Sequence, residues 1–134
     1  MNFQTRLDKT KNIKQVFDLV KEAGGITINL LAKGSERYCR MQLGKTPEQH
    51  FADAEKTIDY AVSNGFDVNV YLEDFSNGMN DSKKYVFDFI ESLSRQKVKR
   101  IMLPDTLGVL TPTLTRDYVS EVVQKFPELH FDFH

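Results

Sequence analysis

Three short runs hold the side chains best suited to chemistry, each directly after an apolar segment: Glu73-Asp74 after residues 68–72, Asp105-Thr106 after residues 98–103, and His134 after residues 129–133. A fourth run, Ala32-Lys33-Gly34-Ser35-Glu36, follows residues 26–31. Acids and a histidine so placed suit proton transfer, metal ligation or the gripping of a charged substrate. Adjacent residues on an extended chain point to opposite faces, so at most one of Glu73 and Asp74 enters a site from the strand itself. The other reads as a cap or salt bridge to a neighbouring loop. Asp105-Thr106 has a second reading as a side-chain turn at a strand exit, ahead of the proline-started helix at Thr111-Pro112. His134 is a reasonable metal ligand, but a metal site needs several ligands. His130 lies about 13 Å earlier on an extended chain, too far to share one ion, and belongs at the opposite end of the strand. His50 falls in a helical pattern and is expected to face solvent. Cys39, the single cysteine, excludes an internal disulfide, fits a reducing compartment and reads as structural.

Four strands must position these groups: residues 26–31, 68–72, 98–103 and 129–133. Each is rich in β-branched, aromatic or leucine residues, and the set reads as strands buried on both faces. Helical patterns alternate with them. In the first, about residues 11–23, Ile13, Val16, Phe17 and Val20 share one face, and Gly24-Gly25 stops it. The second starts at Thr46, where a threonine cap, Pro47 and Gln49 form a capping box; Phe51, Ala54, Ile58 and Ala61 supply its inner stripe. The third, about residues 81–95, buries Val86, Phe89, Ile90 and Leu93. The fourth, about residues 112–126, buries Val119, Val122, Val123 and Phe126 before Pro127 ends it.

This alternation builds a parallel α/β sheet in a single domain, residues 1–134. Two architectures fit: a small doubly wound sheet, or a partial (β/α)8 barrel, whose whole needs about 250 residues. A helical start and a finish just after a strand favour the partial barrel. With 134 residues, 28% of them charged, and a net charge of -1, the chain reads as a globular protein with no nucleic-acid partner. The polar opening residues 1–11 are no signal peptide, and no apolar run reaches the roughly 20 residues that span a bilayer. A cytoplasmic location without membrane attachment is the expectation.

The stretch 70–112 carries a resemblance. Tyr71-Leu72-Glu73-Asp74-Phe75-Ser76-Asn77-Gly78 and Leu103-Pro104-Asp105-Thr106-Leu107-Gly108 resemble the isopropylmalate, homocitrate and citramalate synthases, Claisen-type metalloenzymes whose superfamily includes hydroxymethylglutaryl-CoA lyase. Residues 129–134 are similar to the run-up to the family's His-x-His pair, with His134 as its first histidine. The resemblance implies strands 3–6 of a barrel and an acyltransferase that condenses acetyl-CoA, or a similar acyl-CoA, with an α-keto acid. It implies a divalent metal (Mg, Mn or Zn) that polarises the keto carbonyl, with His134 as a ligand. Glu73 would line the substrate pocket, Thr106 would hydrogen-bond a substrate carboxylate, and Asp105 would support the loop.

The departures matter as much. The family's first-strand arginine–aspartate motif and second histidine are absent, so metal binding by this chain is expected to be weak or absent and the isolated chain inactive. Asn69 and Tyr71 stand where homocitrate synthases use an arginine and a serine to grip their keto acid, which argues against 2-oxoglutarate. The alternatives are a carbon–carbon lyase of the same superfamily, a non-catalytic half-barrel acting by self-association, and a small doubly wound binding domain. Four strands cannot close a barrel, so a homo-oligomer is expected.

Overall fold

The computed structural model describes residues 13–134 in full and residues 2–6 in backbone. Five strands lie side by side in chain order, all parallel: β1 (Asn2–Arg6), β2 (Thr27–Lys33), β3 (Asp67–Glu73), β4 (Arg100–Leu103) and β5 (Phe131–Phe133). Helix α1 (Ile13–Glu22) precedes β2; α2 (Glu36–Leu43) and α3 (Pro47–Ser63) lead to β3. Then α4 (Phe75–Asp81) and α5 (Lys83–Ser94) lead to β4, and α6 (Pro112–Lys125) to β5. The four strands expected from the sequence are all present. A fifth, β1, precedes the first helix, so the expectation of a helical start is corrected. Residues 11 and 12, read as the first turn of that helix, lie outside the described residues.

A doubly wound sheet reverses its strand order at a switch point, and this one does not. Unreversed order with right-handed crossovers places every helix on one face, which is how a (β/α)8 wall is built. The chain forms part of such a barrel.

Burial alternates strictly along β3: Val68, Val70 and Leu72 are buried, while Asp67, Asn69, Tyr71 and Glu73 are not. In β2, Ile28, Leu30 and Ala32 are buried and Thr27, Asn29 and Leu31 are half-buried. In β2 and β3 full burial therefore falls mainly on one face, and Lys33 at the end of β2 is the exception. The expectation of two buried faces overlooked the polar residues at alternate positions, Thr27 and Asn29 in β2 and Asp67, Asn69 and Glu73 in β3, the pattern of a strand with one face on the core. On the helix side Phe17, Ile58, Phe89, Ile90 and Leu93 complete the core. Each such side chain contributes about 1.5–3 kcal/mol by leaving water.

Local signals place the helices. Thr46 caps α3 and the box closes: Thr46 Oγ1 accepts from Gln49 N–H, and Gln49 Oε1 accepts from Thr46 N–H. Gly24 ends the α1 region at a φ of 74°, where a side chain would be strained. Two short helices were not foreseen. Ser35 caps α2 and Gly44 closes it at a left-handed φ of 62°. The composition of α4, Phe-Ser-Asn-Gly-Met-Asn-Asp, is that of a turn. In α6, Val122 and Phe126 are buried as expected, Val119 is half-buried, and Val123 is exposed.

His50 corrects a further expectation. It is fully buried, its ring 5.2 Å from Phe89 edge-on, and Nε2 accepts the backbone N–H of Lys33 at 3.0 Å. Accepting there puts the ring proton on Nδ1, which has no hydrogen-bond partner among the described residues. A helical position reads as solvated when polar, but this one faces the end of β2, where a backbone donor needs an acceptor.

Two outcomes follow from this packing. A Cβ on Gly78 would sit 2.1 Å from the Gly34 carbonyl oxygen, a backbone atom that cannot step aside. Gly78→Ala should therefore lower unfolding free energy in urea by about 1–3 kcal/mol, the usual cost of overpacking. Burial first, then the charge of Lys45, holds His50 down at about 4. The unfolded chain takes the proton near the ordinary value of about 6.5, so stability from this group is whole above that pH and falls as pH drops toward 4. Wild type should lose about 3 kcal/mol over that window relative to His50→Gln; parallel pH–stability curves for the two would refute the assignment.

Candidate functional site

The carboxyl ends of four consecutive strands, β2 to β5, bring the candidate residues together, and β2 and β3 supply the central pair. Their register runs unbroken from Thr27↔Asp67 to Lys33↔Glu73. Lys33 therefore stands beside Glu73, and the two form an ion pair with both side chains largely buried. The ring of Tyr38 lies 5.8 Å from Lys33 Nζ. Alternation puts Glu73 on the open face with Asn69 and Tyr71, as expected of one member of the acidic pair.

Asp74 takes the other role. It sits at a φ of 69°, left-handed and almost fully buried, where the strand turns into α4. Its carboxylate accepts from Ser35 Oγ at 2.7 Å and from Asn77 Nδ2 at 2.8 Å. Its backbone N–H donates to Thr106 Oγ1 at 2.8 Å. One residue thereby ties the exits of β2, β3 and β4 together.

Thr106 is exposed. Its oxygen is occupied as an acceptor, which leaves its own O–H to donate outward. Asp105 supports the loop: its carboxylate accepts from Ser76 Oγ at 2.7 Å and from the backbone N–H groups of Val109 and Leu110 at 3.0 Å each. Partial burial would raise its pKa, but those three donors outweigh it and hold the carboxyl below its ordinary value.

His134 continues the β5 pairing, donating its N–H to Leu103 O and accepting from Asp105 N–H. Its ring meets Tyr71 edge-on at 6.3 Å. Asn69 Nδ2 donates to Asn29 Oδ1 at 3.0 Å, a cross-strand amide pair on the open face. A groove of about 530 Å³ runs along that face from the amino ends of the strands at Thr27, Asp67 and Arg100 as far as Tyr71 and Met102, with Asn69 in its wall. His130 lies at the other end of the strands, against Arg100 and Asp132. Cys39 is buried with its thiol toward the carbonyls of Lys45 and Thr46, and burial pushes that thiol up, so it is no ready nucleophile.

Of the expected site residues, Asn69, Tyr71 and Glu73 share one strand face, and Tyr71 touches His134. Thr106 joins them through the Asp74 backbone. Lys33 and Ser35 were not singled out from the sequence. The signal for Lys33 was present, because it stands two places beyond Leu31 and four beyond Asn29, on the same face of the strand. Among the described residues no three His, Cys, Asp or Glu side chains come together as a group able to hold a metal ion. The residues present therefore do not by themselves make the site a divalent metal requires.

Comparison with known proteins agrees with this picture. The chain is 26% identical over 100 residues to homocitrate synthase of Sulfolobus acidocaldarius, covering 75% of this chain and 21% of that protein. It is 30% identical over 95 residues to a homocitrate synthase of Methanosarcina acetivorans, covering 71% of this chain and 23% of the relative. The crystal structure of Bacillus subtilis HMG-CoA lyase superposes with a TM-score of 0.79 at 15% identity, over 98% of this chain and 44% of that one. The chain thus spans less than a quarter of the length of these two synthases. Residues 5–134 match the HMGL-like family, and the chain belongs to it.

Proposed function

We propose that this chain supplies substrate-binding strand ends for a transferase that condenses an acyl-CoA with an α-keto acid, in the manner of homocitrate and citramalate synthesis. The observation that carries the reading is the juxtaposition of Glu73, Thr106 and His134 at the ends of adjacent parallel strands, in a chain similar to homocitrate synthases.

In this reading the Thr106 hydroxyl, held by the Asp74 N–H, donates to a carboxylate of the keto acid. Asn69 and Tyr71 line the groove below and select the remainder of that substrate by shape and by single hydrogen bonds. Glu73 stands beyond that groove on the same face of β3, its carboxylate directed by Lys33. His134 offers an imidazole from the next strand end but one, against the Tyr71 ring. Asp105 touches no substrate; it keeps the Thr106 loop in place. Among the described residues no three His, Cys, Asp or Glu side chains are grouped to hold a metal ion, and the roles derived for Thr106, Asn69, Tyr71 and Glu73 are binding and orientation.

A chimera tests this directly: the chain replaces its matching segment in Sulfolobus acidocaldarius homocitrate synthase, and thiol release from acetyl-CoA is followed with a panel of α-keto acids. Turnover is expected. Thr106→Ala in that chimera should lower kcat/KM about 10- to 100-fold, the loss of one hydrogen bond to a charged group at about 1.5–3 kcal/mol. A folded chimera that releases no thiol would end the proposal, and cleavage of hydroxymethylglutaryl-CoA in its place would assign the site to a lyase.

A further inference from the structure

Lys33 is anchored from two helices as well as from the sheet. The pairing of β1 with β2 runs to Arg6↔Leu31, so the backbone of Lys33 lies beyond it. Two helices take over. His50 Nε2 from α3 accepts the Lys33 N–H at 3.0 Å, and the Tyr85 hydroxyl from α5 donates to the Lys33 carbonyl at 2.8 Å. Burial keeps the Tyr85 phenol protonated by pushing it up, and so keeps it a donor.

The side chain so positioned is a lysine only 11% exposed. An ammonium has three hydrogens to place. Among the described residues its partners are one carboxylate oxygen of Glu73 and the face of Tyr38. Unmet donors on a nearly buried cation are costly unless a further acceptor arrives. Arg100, the cation of β4, stands at the opposite end of the strands, is half exposed, and is matched by Asp132.

We infer that Lys33 is a substrate-recognition residue: its remaining hydrogens bind a carboxylate of the ligand while its bond to Glu73 fixes both groups beside that ligand. The inference deepens the reading above and takes the ligand class, an α-keto acid, from it. His50 and Tyr85 act through Lys33 as positioning residues.

The test uses the full 134-residue chain labelled with ¹³C at lysine Cε, titrated with pyruvate and with 2-oxoglutarate, and in a separate arm with inorganic phosphate. The Lys33 resonance, identified by its disappearance in Lys33→Arg, should move saturably with at least one keto acid while those of Lys99 and Lys125 stay still. The double variant Lys33→Met/Glu73→Gln removes both charges and strands neither, and it should weaken keto-acid binding at least ~10-fold. Wild-type affinity in that variant, or a Lys33 resonance indifferent to both keto acids, overturns the inference; an equal response to phosphate overturns the carboxylate assignment. If the double variant does not fold, the wild-type titration decides alone. A chimera without turnover whose Lys33 still binds a keto acid would sink the condensation reading and leave this one standing.

Discussion

Seven residues of β2 lie opposite seven of β3, and that register decides which side chains reach the core and which reach the site. A slip of one place would turn Leu30 and Val70 outward and drive Lys33 and Glu73 under the helices. The burial of Ile28, Leu30 and Ala32 against α-helical neighbours prevents the slip. The ion pair at the carboxyl end is therefore a consequence of hydrophobic packing in the middle of the strands. Gly34 extends the same register by donating its N–H to Glu73 O, and Ser35 extends it again by reaching Asp74.

Beyond the strand ends the geometry is held by polar groups, and each has a stated partner. Asp74 adopts a left-handed conformation that costs roughly 1–3 kcal/mol where the surroundings do not fix it. Hydrogen bonds from Ser35 and Asn77, and one to Thr106, offset that cost. The close approach of Gly34 and Gly78 lets the two loops share this knot, since a side chain on either would meet backbone. Behind it, Phe51 stacks on Phe89 with centroids 4.5 Å apart, and Tyr85 lies 5.2 Å from Phe51. This aromatic platform carries His50 and Tyr85, the two side chains that finish the hydrogen bonding of β2.

How much of this could be read from residues alone depends on the range of the interaction. The four central strands, the four long helices and the capping box at Thr46 are set by local periodicity and by turn chemistry, and all were legible. The acidic pair divided, with Glu73 on the open face and Asp74 in the turn that ties the loops. What escaped were features whose cause lies far along the chain. His50 is buried because a backbone donor 17 residues away needs its Nε2. The helix α4 forms on a turn-like composition because Phe75, Gly78 and Met79 pack into the core. The strand β1 is polar in sequence and owes its place to pairing with β2. Lys33 stood within a named strand-end run and on the open face by spacing, but its meeting with Glu73 shows only in the cross-strand register.

The open face and the buried face answer to different constraints. At 15% identity the B. subtilis lyase keeps the fold, so the barrel wall does not depend on one particular sequence. The open face is built from matched polar pairs across neighbouring strands: Arg100 with Asp132, Asn29 with Asn69, Lys33 with Glu73. Each of these pairs is neutral, although Arg100 stands in register with Asn69, and Asp132 one row further along with Met102. A carboxylate placed beside Lys33 and Glu73 would make a trio with one net negative charge, and long-range attraction could not hold it there. Directed donors are then what remains: the hydrogens of Lys33 that have no partner among the described residues, and the outward O–H of Thr106. In the reading proposed above, recognition would rest on hydrogen-bond geometry, and Ser35, just beyond Lys33, and Thr106 are both tied to Asp74.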